Sequence, residues 1–210
     1  MITIYHLENS RSERVIWLME ELGLPYELKR FPRGPDMRAT DALRQIHPLG
    51  KSPIIRDGDT LLIESGAILE YIVNRHGGGR FGVPASSPDY AAYLQWMHFA
   101  EGSAMMQFVM NLFVGGFIPG FDQSSPFVQS TKDATAKLLR FLDDSLAGKD
   151  YFAGSAFSAA DIMMIYCFRI VRGYLQTDMS LYPTLAHWID RVENRPAYKK
   201  AMAIANEKAG

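Results

Sequence analysis

Apolar and polar residues alternate from residue 2 to residue 6, and this period of two predicts a β-strand. After Ser10 the spacing becomes helical, and residues 15–22 carry one apolar face. A glycine and a proline then stop the helix, and residues 26–31 can form a second strand. The pattern therefore predicts a βαβ unit, for which we expect a right-handed crossover.

The next segment changes from strand to helix again. A loop is predicted at residues 32–36, which are rich in proline, glycine and aspartate. Residues 53–63 contain two short apolar runs around Asp57-Gly58-Asp59, which indicates a β-hairpin, and residues 67–72 have helical spacing. The first ~75 residues are therefore expected to follow the order β-α-β-α-β-β-α.

Glycine, proline and serine accumulate in residues 79–88, which is the composition of a linker. We therefore predict an α/β domain at 1–78 and an all-α domain, a helical bundle, at 89–210. Its helices are expected near 89–114, 126–147, 158–174, 183–194 and 196–205.

Charge and cysteine content restrict the partners. A formal net charge of -1 provides no field that would recruit nucleic acid or an anionic membrane. The single cysteine, Cys167, allows no intramolecular disulfide and no cysteine-rich metal cluster, so we expect no metal and a reducing compartment. The N-terminus has no leader pattern, which favours a cytoplasmic protein. The partner is expected to be a small molecule or a second subunit.

Residues 102–121 carry no charge and are about as long as the ~20 residues that a membrane-spanning helix needs. We interpret this segment as a buried helix that leads into a loop. Gln107 and Asn111 fall in its middle, and its flanks are acidic rather than basic.

Ser10 lies at the predicted strand-to-helix turn, where backbone N–H groups and the helix dipole favour an anion such as a thiolate. The structural alternative is that Ser10-x-x-Glu13 is a capping box, in which Ser10 only caps the helix. Tyr5 can present its phenol to the same place or simply pack against the sheet. Asn9 is a third candidate donor, with a turn role as its alternative.

Two further pairs are candidates for ligand contacts. Pro53 follows Ser52 at the start of a strand, and only ~5–6% of X–Pro bonds are cis, so frequency alone favours trans. Glu64 and Ser65 precede a helix, where a hydroxyl and backbone N–H groups can hold a ligand carboxylate or only start the helix.

The chain resembles the cytosolic glutathione transferase family along nearly its whole length. The matching segments occur in the family's order, and they are SRSERVIWLMEELGLPYEL, HPLGKSPIIRDGD, LLIESGAILEYI, FSAADI and YPTLAHWIDRVENRPAY. The resemblance is greatest to microbial members of the serine-type and fungal prion-homologue-like groups. It implies a thioredoxin-like N-terminal domain that binds glutathione and a helical C-terminal domain that completes a hydrophobic co-substrate site.

The resemblance also implies roles for particular residues. Ser10 takes the place of the thiol-activating hydroxyl of serine-type members, and Tyr5 lies near the tyrosine of tyrosine-type members. The absence of cysteine at position 10 argues against a mixed-disulfide mechanism. The family's glutathione contacts correspond to Asn9, Lys51, Ser52, Pro53 (a cis-proline in the family), Glu64 and Ser65. Gly66 replaces an arginine that many members have, which removes one anchoring charge.

The helix after the linker offers apolar surface for a co-substrate. The candidates are Met105, Met106, Phe108, Val109 and Tyr166. Helical spacing alone does not separate a pocket face from a core or dimer face. Ser158-x-x-Asp161 is interpreted as a structural capping box, which typically contributes about 0.5–2 kcal/mol.

The expected activity is attack by the glutathione thiolate on small apolar electrophiles. The alternatives are a glutathione-dependent peroxidase or disulfide reductase, and a non-catalytic protein that binds glutathione or apolar ligands. The resemblance implies a homodimer, a cytoplasmic detoxification role and glutathione as the co-substrate.

Overall fold

A computed structural model describes residues 1–34 and 38–207, which form two compact units. The sheet unit comprises Met1–Gly82 and Glu193–Gly210, and the helical unit comprises Val83–Val192. The predicted fold class, a thioredoxin-like α/β domain followed by an all-α domain, is confirmed. The domain boundaries at residues 78 and 88 stay a prediction. Part of the loop predicted at 32–36 lies outside the described residues.

The first seven elements follow the predicted order. They are β1 (Ile2–Leu7), α1 (Glu13–Leu22), β2 (Tyr26–Phe31), α2 (Asp41–Ile46), β3 (Ile54–Asp57), β4 (Thr60–Ile63) and α3 (Ser65–Arg75). The sheet has the order β2-β1-β3-β4, in which β1 and β2 are parallel and β3 is antiparallel to both of its neighbours. Asp57 pairs with Thr60 at the end of the ladder, so the predicted hairpin closes through Gly58 and Asp59.

The helical unit begins with one long helical stretch in which two segments have π-helical hydrogen bonding. Its elements are α4 (Tyr90–Phe99), a π segment (Ala100–Met105), α5 (Met106–Leu112), a second π segment (Phe113–Phe117), α6 (Pro126–Ser145), α7 (Ala159–Ile165), α8 (Cys167–Gly173) and α9 (Pro183–Glu193). Trp96, Phe152 and Trp188 form its aromatic core, with ring centroids 4.6 and 4.7 Å apart. Within 1–34 and 38–207, no helix is long and apolar enough to cross a membrane.

The start of α7 confirms the predicted capping box. The Asp161 carboxylate accepts hydrogen bonds from the Ser158 N–H at 3.0 Å and from the Ser158 hydroxyl at 3.2 Å. It also accepts from the Phe152 N–H at 3.1 Å and from Trp188 Nε1 at 3.0 Å. Burial raises the pKa of the Asp161 carboxyl to about 6, against the hydrogen bonds that lower it. Asp161 is therefore both a cap and the polar centre of this core.

The last helix, α10 (Pro196–Asn206), returns to the sheet unit and packs on α1. Arg195 donates to both carboxylate oxygens of Glu21, at 2.6 and 2.8 Å. The rings of Trp17 and Tyr198 meet edge to face with centroids 5.1 Å apart. Because α10 covers a second side of α1, Trp17 is buried together with the apolar face predicted from the spacing.

Candidate active site

Arg33 holds the turn between β1 and α1. Its Nε donates to the Glu8 carbonyl at 2.8 Å, and its Nη2 donates to the Asn9 carbonyl at 2.7 Å. Asn9 has a φ of 49°, a left-handed conformation that asparagine tolerates better than most residues. Asn9 therefore occupies a fixed turn directly before Ser10. No feature of the sequence indicated the role of Arg33.

Ser10 does not cap α1. The helix begins at Glu13 with Ser12 as its N-cap residue. The Glu13 N–H donates to the Ser10 carbonyl at 3.2 Å, and the Ser10 hydroxyl oxygen accepts from the Ser12 N–H at 3.3 Å. In a capping box the Glu13 N–H would donate to the Ser10 hydroxyl instead. The capping-box interpretation of Ser10 is therefore wrong, because the helix starts two residues later than that pattern requires.

The Ser10 hydroxyl belongs to a buried polar chain that sequence reasoning missed. Its oxygen lies 2.8 Å from the Ser12 hydroxyl oxygen, which in turn lies 2.7 Å from Nδ1 of His6 on β1. Nε2 of His6 lies 3.0 Å from the Ala205 carbonyl on α10. Burial is the main cause of a lowered pKa at His6. The candidate hydroxyl is thus connected to the last helix of the chain.

Ser52 and Pro53 lie beside Ser10. The peptide bond between Ser52 and Pro53 is cis, as the family resemblance implies and frequency alone does not. The Ser52 hydroxyl oxygen lies 3.1 Å from that of Ser10. The Lys51 side chain is exposed, and within the described residues it makes no ion pair. Ser10 and Ser52 are therefore brought together, although 42 residues separate them.

Glu64 and Ser65 form the start of α3. Glu64 has φ 73° and ψ 119°, which is a strained conformation for a residue with a side chain, and such strain is concentrated at functional sites. Ser65 is buried, and its hydroxyl accepts from Arg14 Nη1 at 3.4 Å. Arg14 is itself almost fully buried, so a guanidinium from α1 contacts the residue directly before Gly66.

The Tyr5 phenol has a partner of its own on the sheet. Tyr5 is buried with Leu7, Leu43 and Ile54 in an apolar cluster on the sheet. Its hydroxyl accepts from Arg56 Nε at 3.2 Å. Arg56 pairs with a residue near the start of β1, whereas Ser10 follows the end of that strand. Among the described residues, the Tyr5 hydroxyl is therefore bonded to Arg56 and makes no hydrogen bond to Ser10.

The predicted co-substrate residues lie in the helical unit and differ in exposure. Met105 and Phe108 are buried in its core, Met106 is 62% exposed, and Val109 and Tyr166 are half-buried. Of the five, Met106 offers the most side-chain surface to an incoming molecule. The role of these residues in co-substrate binding stays a prediction.

Comparison with known proteins identifies the family. The model for the "Glutathione S-transferase, N-terminal domain" matches residues 4–80, and the model for the C-terminal domain matches residues 105–196. Glutathione S-transferase 3 of Schizosaccharomyces pombe is 34% identical, with 99% of this chain and 88% of that protein covered. The chain therefore belongs to the glutathione S-transferase family, and it is a glutathione transferase.

Solved structures agree with this result. A glutathione S-transferase from Actinobacillus pleuropneumoniae has a TM-score of 0.88 and 28% identity, with 98% of this chain and 93% of that chain covered. A sphingomonad glutathione S-transferase complexed with glutathione has a TM-score of 0.77 and 25% identity, with 98% and 100% covered. The predicted family, fold and enzyme class are thus confirmed.

Proposed function

We propose that this transferase conjugates the glutathione thiolate to small apolar electrophiles and that Ser10 activates the thiol. The proposal rests on the position and the contacts of the Ser10 hydroxyl. It stands at the N-terminus of α1, it does not serve as the helix cap, and it lies 3.1 Å from the hydroxyl of Ser52. Its proton has the hydroxyl oxygens of Ser12 and Ser52 as acceptors, and an incoming sulfur atom can replace either of them.

Such a site can supply the free energy that is needed to stabilise the glutathione thiolate. A free thiol has a pKa near 8.5, so about 3% of it is ionised at pH 7. Lowering that pKa by about two units requires roughly 2.7 kcal/mol in favour of the thiolate. One hydrogen bond to a charged sulfur and the N-terminus of a helix together supply about that amount. Orientation of the two reactants then lowers the barrier further.

We assign the remaining glutathione contacts to two groups of residues, 51–53 before β3 and 64–65 at the start of α3. Ser52 and Pro53 would bind the cysteinyl backbone, and Lys51 would face the glycyl carboxylate. Glu64 and Ser65 would bind the γ-glutamyl end, with Arg14 supplying the positive charge near Ser65. The sphingomonad relative was solved in complex with glutathione, which supports glutathione as the ligand. Tyr5 is kept as the rival thiol donor, and Asn9 as a second contact at the turn.

The proposal extends to the co-substrate and the assembly. Residues 1–78 would bind glutathione, residues 79–88 would be a linker, and residues 89–210 would bind the electrophile. Met106, Val109 and Tyr166 would contact the electrophile, and Met105 and Phe108 would support them from the core. We further propose a cytoplasmic homodimer with a role in detoxification, and light scattering that gives a monomer at micromolar concentration would contradict the dimer.

Product analysis tests the activity. The purified protein is incubated with glutathione and a panel of apolar electrophiles, peroxides and disulfides, and the products are identified by mass spectrometry. We expect thioether conjugates that Ser10→Ala forms far more slowly. Oxidised glutathione as the main product, at a rate above that of the uncatalysed reaction, would support the reductase alternative instead.

A further inference from the structure

The direction of each hydrogen bond around His6 follows from the chemistry of its partners. The Ala205 carbonyl can only accept, so His6 Nε2 carries a proton. Burial is the first cause of a lowered pKa at His6, which keeps the imidazole neutral near pH 7. In a neutral imidazole the other nitrogen is an acceptor. Nδ1 therefore accepts the hydroxyl proton of Ser12 across 2.7 Å.

This direction determines the role of each serine hydroxyl in the chain. Ser12 has one hydroxyl proton, and it is given to His6, so the Ser12 oxygen can only accept from Ser10 at 2.8 Å. The Ser10 proton has two acceptors in reach, Ser12 at 2.8 Å and Ser52 at 3.1 Å. Without ligand, the chain from Ser10 through Ser12 thus runs toward His6.

We propose that His6 is a positioning residue for the transferase reaction, which accepts the glutathione thiol proton through the hydroxyls of Ser10 and Ser12. The inference rests on the proposed role of Ser10 as the group that contacts the sulfur. His6 itself touches neither the sulfur nor the electrophile, and it acts only through the two serines.

The transfer balances with three protons that each move one place. The S–H bond breaks and its proton binds Ser10 Oγ, the Ser10 proton passes to Ser12 Oγ, and the Ser12 proton passes to His6 Nδ1. No electron is gained or lost, and the products are a thiolate and an imidazolium. Every hydrogen bond in the chain is then reversed, so that His6 donates to Ser12, Ser12 to Ser10, and Ser10 to the sulfur.

The reversal explains why a relay improves on a lone hydroxyl. In the resting direction, Ser12 competes with the sulfur for the Ser10 proton. After the transfer, Ser12 donates to Ser10 and strengthens the bond from Ser10 to the thiolate, because hydrogen bonds in a buried chain polarise one another. The negative thiolate also raises the pKa of His6, because opposite charges attract more strongly among buried groups such as Ser10, Ser12 and His6. This attraction offsets the burial that keeps the imidazole neutral in the resting protein.

Other charges around His6 modulate this equilibrium. Arg30 on β2 lowers the His6 pKa, and Glu8 after β1 raises it. Arg30 is itself held by Glu207 at 2.7 Å and by the Ile204 carbonyl at 2.8 Å, which fixes its distance from the imidazole. Among the described residues, His6 bonds to the Ala205 carbonyl on α10 and to the hydroxyl of Ser12, the N-cap residue of α1.

The wild-type protein provides the first test. Thiolate absorbance and proton release to a weakly buffered solution are recorded on the same sample as glutathione is added near pH 7, and the protonation of His6 is followed by NMR. We expect thiolate to form with little proton release, and His6 to become protonated. About one proton released per thiolate, with His6 still neutral, would overturn the relay but leave Ser10 activation intact. No thiolate at all would overturn both.

Two variants break the relay at different atoms. Ser12→Ala removes the middle hydroxyl, and His6→Gln keeps an acceptor but cannot hold the proton. In each folded variant we expect the apparent pKa of the bound thiol to rise by about one unit, a tenfold change in the ionisation constant, with about one proton released per thiolate. His187→Gln, on the exposed face of α9, is the matched control and should behave as wild type. Unchanged proton release in both relay variants would contradict the proposal.

Discussion

The helices α1 and α7 begin with the same sequence pattern, a serine followed three residues later by an acidic residue, yet their starts differ. At α7, Ser158 and Asp161 form a capping box, and the carboxylate also accepts from Phe152 and Trp188. At α1, a second serine becomes the N-cap residue, and the Glu13 N–H donates to the Ser10 backbone carbonyl. The same pattern thus forms a complete capping box at α7, whereas at α1 it leaves the Ser10 hydroxyl outside the helix.

The difference shows what separates a structural helix start from a reactive one. The polar atoms at α7 satisfy one another, so none is left for a ligand. Ser10 instead joins a chain of hydroxyls that ends at a buried histidine, and its proton has more than one acceptor in reach.

The largest effect is expected at the completed cap. Asp161→Ala removes the acceptor of four hydrogen bonds and leaves buried donors of Phe152, Ser158 and Trp188 without it. We expect a loss of about 3–5 kcal/mol in the free energy of unfolding, measured with urea, because each unsatisfied buried donor costs about 1–3 kcal/mol. A loss of no more than about 2 kcal/mol is typical of an ordinary helix cap. Such a result would show that the bonds from Phe152 and Trp188 to Asp161 contribute nothing.

The Asp161 carboxyl also predicts a pH dependence. Its pKa is raised from 3.8 to about 6, so the folded state binds its proton more tightly than the unfolded chain. This contribution is complete below pH 4 and is lost as the pH rises through 6. The free energy of unfolding of wild type minus that of Asp161→Asn should therefore fall by about 2–3 kcal/mol between these limits. A difference that grows with pH would contradict the sign.

At α1 the effect should be larger in the rate than in stability. Ser10→Ala is expected to lower kcat/KM by about 100-fold, which corresponds to roughly 2.7 kcal/mol for a lost hydrogen bond to charged sulfur. The free energy of unfolding should fall by only about 1–2 kcal/mol, because the hydroxyl does not cap the helix and its loss leaves one buried donor, the Ser12 N–H, without an acceptor. A stability loss larger than the loss of transition-state stabilisation would make Ser10 a structural residue like Ser158.

The smallest effect is expected at Tyr5. Its hydroxyl is engaged by Arg56, so Tyr5→Phe should cost about 1 kcal/mol of stability and leave kcat/KM within about threefold of wild type. Steady-state rates and urea unfolding on the same preparation measure both quantities. A fall in rate as large as that of Ser10→Ala would move thiol activation to the tyrosine.

Local patterns predicted most of the fold. The alternation in β1, the apolar face of α1 and the turn at Gly58 each depend on neighbouring residues, and the structure confirms them. The packing of α10 on α1 depends instead on pairs such as Arg195 with Glu21, which are 174 residues apart. No local spacing reveals such a contact.

Some residues of the candidate site were predicted from the sequence, and others were not. Position and resemblance indicated Ser10, Ser52 and Pro53, and the structure brings these residues together. His6 looked like an ordinary inward-facing strand residue, because its partners come from the next turn and from a helix 199 residues away. Helical spacing also did not show that Met105 faces the core while Met106 faces outward.

The most direct test of Ser10 activation is the thiolate absorbance of bound glutathione, titrated with pH in wild type, Ser10→Ala and Tyr5→Phe. We expect a thiol pKa about two units below the free value in wild type and Tyr5→Phe, and a loss of this depression in Ser10→Ala. An undepressed pKa in wild type despite measurable binding, or a depression lost only in Tyr5→Phe, would contradict it.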